Sequence, residues 1–145
     1  MSLVVTGTVA FDAIETPFGK TDKIVGGAAT YACLAASYFY KNVKMVGVVG
    51  DDFPKEDIQS FEDHGISTEG LQVKAGEKSF FWSGKYHNDM NSRDTLATDL
   101  NVLADFDPIL PESYQDCEFL LLGNLSPQVQ QTTIQRLKNR PKLIV

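Results

Sequence analysis

The chain has 145 residues, of which 43% are hydrophobic and 22% charged, and its formal net charge is −6. This length predicts one domain that can bury a sizeable core. The acidic balance argues against a general binder of nucleic acid or of anionic membranes, so we expect neither partner. No segment has the pattern of a signal peptide, and no apolar run approaches the roughly 20 residues that cross a bilayer.

Side chains that commonly carry metal chemistry are few. The two cysteines, Cys33 and Cys117, each lie in an apolar run, and the two histidines, His64 and His87, are isolated. Their spacing fits no zinc site, so we expect no metal bound by these residues. The cysteine pattern predicts two buried free thiols in a reducing, cytoplasmic compartment.

The first strand is expected from Leu3 to Val9, where the sequence is apolar and β-branched, and Asp12 follows it. Open α/β sheets bind ligands beyond the carboxyl ends of their strands, which makes Asp12 a candidate substrate-binding residue. A turn residue or a helix cap is the structural alternative. Glu15 to Lys20 is expected to be a short extended excursion, because Pro17 and Gly19 interrupt it.

Two glycines stand directly before a helix of small residues. Gly26 and Gly27 allow a ligand to approach the main chain closely. The helix predicted from Ala28 to Tyr40 offers unpaired N–H groups in its first turn. Together these features predict a site for an oxygen-rich ligand, and a tight turn with a glycine cap is the alternative.

A second buried strand is expected from Lys44 to Gly50. With the preceding strand and helix it predicts a right-handed βαβ unit with parallel strands. A second helix is expected from Phe53 to His64, with Asp52 as its cap, Pro54 in its first turn and Gly65 at its end.

The pattern changes to strands and turns from Leu71 to Leu103. A period of two places three aromatic side chains on one face: Phe80, Trp82 and Tyr86. A turn at Asn88 to Asn91 and a returning strand at Ser92 to Thr98 predict a hairpin. A small inserted sheet cannot bury both faces, so the hairpin is a candidate lid or dimer surface. Simple packing of these aromatic residues on the parent domain is the alternative.

The last part of the chain returns to an α/β pattern. A buried strand is expected from Glu118 to Gly123, followed by a helix from Gln128 to Asn139 with Ser126 as its N-cap and Pro127 in its first turn. Pro141 to Val145 begins one more strand. Because a domain seldom ends inside a buried strand, we expect these residues to be the front portion of a longer protein.

An ordered series of motifs resembles the N-terminal half of the PfkB, or ribokinase-like, sugar kinases, over essentially the whole chain. The series consists of Gly7–Asp12, the Gly26-Gly27 helix entry, Val46–Asp52, His64–Leu71 with the hairpin after it, and Leu120–Asn124. The resemblance implies a three-layer α/β sandwich with a central, mostly parallel sheet and a small inserted β-sheet lid. The lid strands are expected at about residues 12–24 and 69–103.

Members of this family transfer the terminal phosphoryl group of ATP to a hydroxymethyl oxygen of a sugar or nucleoside. The resemblance implies ATP and Mg²⁺ as cofactors. The exposed aromatic face of the hairpin leads us to expect a homodimer formed through the lid. The resemblance also implies that the glycine pair is the hinge of a lid that excludes water. The implied substrate-binding residues are Asp12, Gly26, Gly27, Tyr31 and Asn124, and the lid residues are Phe80, Trp82 and Tyr86.

The chain departs from the family pattern in several places. Ala28 and Tyr31 stand where many of these kinases have a Lys or another polar residue and an Asn, and Ala10 stands where ribose-specific members have Asn. Tyr31 therefore indicates a different hydroxyl pattern or a larger, partly aromatic substrate, with Asn124 as a substitute polar contact. The Gly-Ala-Gly-Asp motif that contains the family's catalytic base does not occur. We therefore expect the base and the ATP-binding residues in a C-terminal half absent from this chain; a non-catalytic sugar-binding or regulatory relative is the alternative.

Overall fold

The computed structural model describes residues 2–145. Within this range the α-helices are α1 (Ala28–Ser37), α2 (Lys55–Asp63) and α3 (Pro127–Gln135). The strands are β1 (Leu3–Thr6), β2 (Ala10–Thr16), β3 (Gly19–Lys20), β4 (Ile24–Gly26), β5 (Val43–Gly50), β6 (Ile66–Lys74), β7 (Phe80–Tyr86), β8 (Arg93–Asp99), β9 (Phe119–Leu122) and β10 (Leu143–Ile144). No helix within residues 2–145 is long and apolar enough to cross a membrane.

The body of the molecule is a five-stranded sheet in the order β10-β9-β1-β5-β6, with all neighbouring strands parallel. On one face Met45 packs with Cys33 of α1 and Phe61 of α2. On the other face Val46 packs with Tyr114 and other residues from the segment between β8 and β9, and α3 covers the same side. Both faces are buried, which explains the unbroken apolar runs of these strands. The predicted three-layer α/β sandwich is confirmed.

The second sheet, which we call the lid sheet, has the order β3-β2-β7-β8, and β4 also pairs with β2. The β2–β7 pair is parallel and the other pairs are antiparallel. The chain enters this sheet directly after β1 and leaves it directly before α1, then enters it again after β6. The small inserted sheet expected beside the body is therefore present.

Several predicted boundaries are wrong. The first strand ends at Thr6, and Asp12 lies inside β2 rather than just beyond β1. The apolar run continues across this break, because Val9 and Phe11 are buried as strand residues are, so hydrophobicity alone does not mark it. The backbone at Gly7 lies against α1, where a Cβ would stand 3.0 Å from the Ala29 nitrogen, and the strand stops there.

The lid sheet also begins later than the predicted residue 69. Residues 70–74 pair with β5 in the body sheet, and lid pairing starts at Phe80. The lid segment predicted at 12–24 corresponds to β2, β3 and β4. Helices α1 and α3 end three and four residues before the predicted Tyr40 and Asn139. Ser126 caps α3 as predicted, accepting a hydrogen bond from the Val129 nitrogen.

The two cysteines are buried free thiols, as predicted. Burial raises the pKa of the Cys33 thiol to about 12, so this group stays protonated and unreactive at neutral pH. Sequence reasoning missed the role of the segment between β8 and β9. Its Tyr114 is fully buried and donates a hydrogen bond to the Ser67 carbonyl oxygen at 2.9 Å, which fastens this segment to β6.

Candidate substrate-binding site

A cleft of about 400 Å³ lies between the start of α1 and one face of the lid sheet. Every residue proposed from the sequence lines it, with the exception of Gly26. The lining consists of Thr8, Ala10, Asp12, Gly27, Ala28, Tyr31, Phe80, Trp82, Tyr86, Arg93 and Asn124. Residues that are far apart in the sequence therefore meet around one space.

Asp12 supplies the carboxylate of this cleft. Its side chain is half-buried, and within residues 2–145 it has no hydrogen-bond or ion-pair partner. Burial raises the pKa of the Asp12 carboxyl above its ordinary value. A partly desolvated carboxylate without a partner is a strong acceptor for ligand hydroxyl groups.

Gly26 leaves room for the Asp12 carboxylate, because it has no side chain. A Cβ at Gly26 would lie 2.0 Å from Oδ2 of Asp12. The glycine is buried beneath the carboxylate and does not line the cleft. The close approach at this position is therefore made by the Asp12 side chain.

Gly27 shapes the entry into α1. Its φ is 101°, a region that favours glycine, and a Cβ there would lie 2.3 Å from the Thr8 carbonyl oxygen. Thr8 occupies the first donors of the helix: Oγ1 accepts from the Ala28 nitrogen and the carbonyl oxygen accepts from the Ala29 nitrogen, both at 2.9 Å. The prediction that the first turn offers unpaired N–H groups is therefore wrong for these two donors.

Thr8 also positions Asn124. Its hydroxyl donates a hydrogen bond to Oδ1 of Asn124 at 2.9 Å. Asn124 lines the cleft, and its NH₂ group remains as the donor for a ligand. Sequence reasoning missed Thr8, although its position after Gly7 at the end of β1 was a usable signal. One hydroxyl thus connects the ends of β1 and β9 with the start of α1.

The three lid aromatic residues share one face, as predicted. Phe80, Trp82 and Tyr86 are half-buried and all line the cleft. The β2–β7 register pairs Asp12 with Trp82. These rings are therefore walls of the site, and the apolar lid face that motivated a dimer surface in the sequence is directed at the cleft. Tyr31 stands at the rim with 58% of its surface exposed.

No family model matches the chain. Among curated proteins, a cytidine kinase from Thermococcus kodakarensis is 30% identical over 141 residues, which are 97% of this chain and 49% of that protein. The Methanocaldococcus jannaschii nucleoside kinase, an archaeal member of the ribokinase family, matches with a TM-score of 0.75 and 15% identity, covering 99% of this chain and 51% of its own. The Burkholderia thailandensis nucleoside kinase in complex with inosine matches with a TM-score of 0.72 and 15% identity. This match covers 93% of the present chain and 48% of the kinase.

The chain has a ribokinase-like fold. Its resemblance to the PfkB kinases and the fold expected from that resemblance are both confirmed. The chain spans about half the length of the relatives that it matches.

Arg93 is a cleft residue that the sequence analysis missed. It pairs with Tyr86 across the hairpin, and its guanidinium carbon lies 5.7 Å from the centre of the Trp82 ring. The predicted turn at 88–91 already places Arg93 beside Tyr86, so strand pairing in the hairpin could have revealed it.

The lid sheet is fastened to the body by Asp52, which was predicted to cap α2. Oδ1 of Asp52 instead accepts from the nitrogen and the hydroxyl of Ser79, at 2.8 and 2.7 Å. The Ser79 hydroxyl accepts from the Gly50 nitrogen at 2.9 Å, and the Ser79 carbonyl oxygen accepts from the Asn101 amide. Both ends of the β7–β8 hairpin are thus tied to the end of β5.

A larger groove of about 740 Å³ runs along the outer end of the lid. Its titratable groups already have partners: Lys85 lies 2.7 Å from Glu15, His87 lies 2.8 Å from Asp94, and Asp89 accepts hydrogen bonds from Ser92. The smaller cleft contains the carboxylate without a partner, so it is the better candidate for ligand binding.

Proposed function

We propose that the protein containing this chain is an ATP-dependent kinase that phosphorylates a hydroxymethyl group of a sugar or nucleoside. The observation that carries the proposal is the Asp12 carboxylate, which lines a cleft beneath the lid sheet and has no side-chain partner among the described residues. The similarity to a cytidine kinase and to a nucleoside kinase in complex with inosine supports the same substrate class.

The residues of the cleft perform the substrate side of such a reaction. Asp12 accepts hydrogen bonds from two neighbouring hydroxyl groups, and the Asn124 amide donates to a third polar group. The aromatic lid residues pack on the ring of the substrate and exclude water, which would otherwise compete as the acceptor. Phosphoryl transfer depends mainly on positioning and charge stabilisation, so a pocket that fixes one hydroxymethyl group contributes directly to the rate.

The described residues contain neither a cluster of metal-ligating side chains for Mg²⁺ nor the motif of the catalytic base. Within residues 2–145 no group of three His, Cys, Asp or Glu side chains could hold a metal ion. The sequence also lacks the Gly-Ala-Gly-Asp motif. We infer that ATP, Mg²⁺ and the catalytic base are bound or supplied outside this chain, which spans 49% of the cytidine kinase that it resembles.

A non-catalytic sugar-binding or regulatory relative is the second candidate. It would hold if the complete gene product also lacked the Gly-Ala-Gly-Asp motif, while the cleft is already formed by these residues. In this case the cleft binds its ligand in the way described above and no phosphoryl transfer follows.

We further propose a cytoplasmic homodimer formed through the lid. Strand β8 is an edge of the lid sheet, and Leu96 on it is 59% exposed. An unpaired edge with an exposed apolar side chain is suited to pairing with a second copy.

The buried free thiols Cys33 and Cys117 support a reducing compartment.

The test is a phosphorylation assay on the complete gene product, with ATP and a panel of nucleosides and sugars. For the substrate that reacts, we expect Asp12→Asn to lower kcat/KM by at least about tenfold, because a charge-assisted hydrogen bond is lost. Gly26→Ala is expected to produce a similar loss, since the added methyl group displaces the Asp12 carboxylate. Asp105→Asn, an exposed carboxylate away from the cleft, is the matched control.

Two results separate the candidates. Asp12-dependent binding of a nucleoside or sugar without any phosphorylation would support the non-catalytic relative. Unchanged kcat/KM in both Asp12→Asn and Gly26→Ala would contradict the assignment of this cleft as the substrate site.

A further inference from the structure

The cleft contains a cation that the proposed chemistry does not use. Of the described residues that line it, Arg93 is the one cation and Asp12 the one carboxylate. No carboxylate within residues 2–145 forms an ion pair with Arg93. The adjacent Asp94 is bonded to His87. The guanidinium donors of Arg93 are therefore available to a ligand.

Strand register separates the two charged groups along the cleft. Asp12 pairs with Trp82, whereas Arg93 pairs with Tyr86, four residues further along β7. Four strand residues span about 13 Å. The Arg93 side chain extends back over Trp82, where its guanidinium carbon is 5.7 Å from the ring centre. A ligand whose hydroxyl-bearing ring is held by Asp12 therefore has Trp82 and the Arg93 guanidinium beside it as contacts for a second group.

The chemistry around Arg93 suits a flat, neutral group better than an anion. An anion site normally has several converging donors, but the N–H groups of Ala28 and Ala29 are bonded to Thr8. The same cleft also contains the Asp12 carboxylate, which repels an anion. In contrast, the aromatic walls offer π-faces, and the planar guanidinium presents hydrogen-bond donors beside them.

We propose that Arg93 and Trp82 form a base subsite, which makes the substrate a nucleoside rather than a free sugar. The base stacks on the lid aromatics, and a ring carbonyl or ring nitrogen accepts a hydrogen bond from the Arg93 guanidinium. This inference rests on the proposed function, because Asp12 must hold the sugar for the base to reach this position. Arg93 is then a specificity-determining residue.

The experiment measures Kd on the complete gene product for three ligands: cytidine, a riboside with a phenyl ring in place of the base, and ribose. The phenyl riboside can stack but has no ring acceptor. Arg93→Met removes the guanidinium and keeps the aliphatic stem. We expect it to weaken cytidine binding by about tenfold or more and to leave the phenyl riboside and ribose within about twofold. Trp82→Ala should weaken cytidine and the phenyl riboside together, and by more than it weakens ribose, because only the two ribosides carry a second ring that stacks on the indole.

Arg140→Met is the matched control, because Arg140 is an exposed arginine in the segment between α3 and β10. It should leave all three Kd values unchanged. Equal effects of Arg93→Met on the three ligands, or no effect on any, would overturn the base subsite while the proposed function stands. Selective loss of a sugar phosphate instead of cytidine would overturn it in favour of an anionic substrate. If the parent protein binds no sugar and no nucleoside, the proposed function fails and the base subsite fails with it.

Discussion

The two sheets of this molecule are built for different tasks. In the body sheet β5 is buried along almost its whole length, and all neighbouring strands are parallel. In the lid sheet β8 is exposed at six of its seven residues, and β7 is mostly half-buried. The body therefore supplies most of the stability, whereas the lid contributes side chains to a cleft.

The segments where the chain passes between the two sheets contribute both to the stability of the body and to the shape of the cleft. At one crossing, Gly27 and Thr8 fix the start of α1, and Gly26 fixes Asp12. At the other, Asp52 binds Ser79 at the start of the hairpin. A substitution at a crossing can therefore disturb the cleft as well as the body, and substitutions in the two sheets should separate these effects.

The largest difference is expected between a body residue and an exposed lid residue. Met45 is fully buried in β5, while Leu96 in β8 is 59% exposed. Met45→Ala should lower the free energy of unfolding by about 2–5 kcal/mol, because it removes buried contacts and leaves a cavity. Leu96→Ala should change it by no more than about 0.5 kcal/mol. Urea denaturation of the two variants measures both values.

An equal loss of unfolding free energy in Leu96→Ala and Met45→Ala would contradict this difference between the body and the lid. A cost that grows with protein concentration would mean that a second copy covers β8 and that the lid is stabilised by association. A cost independent of concentration would mean that the lid is as integral to the fold as the body sheet.

A smaller effect is expected at the first crossing. Gly27→Ala places a Cβ 2.3 Å from the Thr8 carbonyl oxygen at a residue with φ of 101°. The positive φ alone should cost about 1–3 kcal/mol of stability, and the backbone must shift as well. Thermal unfolding followed by circular dichroism measures the loss. Gly19→Ala is the control, since a Cβ there meets nothing within 4 Å; equal stability of the two variants would show that the backbone at Gly27 is not constrained.

The body could be predicted from the sequence more accurately than the lid, for physical reasons. Strand β5 was expected from Lys44 and begins at Val43. The prediction is accurate to one residue because a parallel strand that is buried on both faces has a continuous apolar sequence. The break between β1 and β2 was missed, because the chain is buried on both sides of it. Its cause is the packing of Gly7 against Ala29, a contact between residues far apart in the sequence.

Most residues of the cleft were predicted, but its geometry was not. Period-two alternation was enough to group Phe80, Trp82 and Tyr86, and the structure places all three on the cleft wall. The interaction of Thr8 with Asn124 could not be inferred, because it joins residues 116 positions apart. Arg93 was within reach of hairpin pairing but depends on the register across the turn. Local patterns thus identify which side chains share a face, and tertiary contacts decide what that face meets.

The smallest effect is expected at Asp12, and its sign is opposite to that of the other variants. Burial raises the pKa of the Asp12 carboxyl above its ordinary value of 3.8, so the ionised form is less favourable in the folded state than in the unfolded one. The resulting destabilisation is absent below about pH 3.8, grows as the pH rises to the folded-state pKa, and is constant above it. Asp12→Asn should therefore slightly raise Tm at pH 7, and the difference should shrink as the pH is lowered toward 4. A lower Tm at pH 7 would mean that the carboxylate has a stabilising partner in the folded chain, and Asp12 would then belong to the stability of the lid rather than to its binding surface.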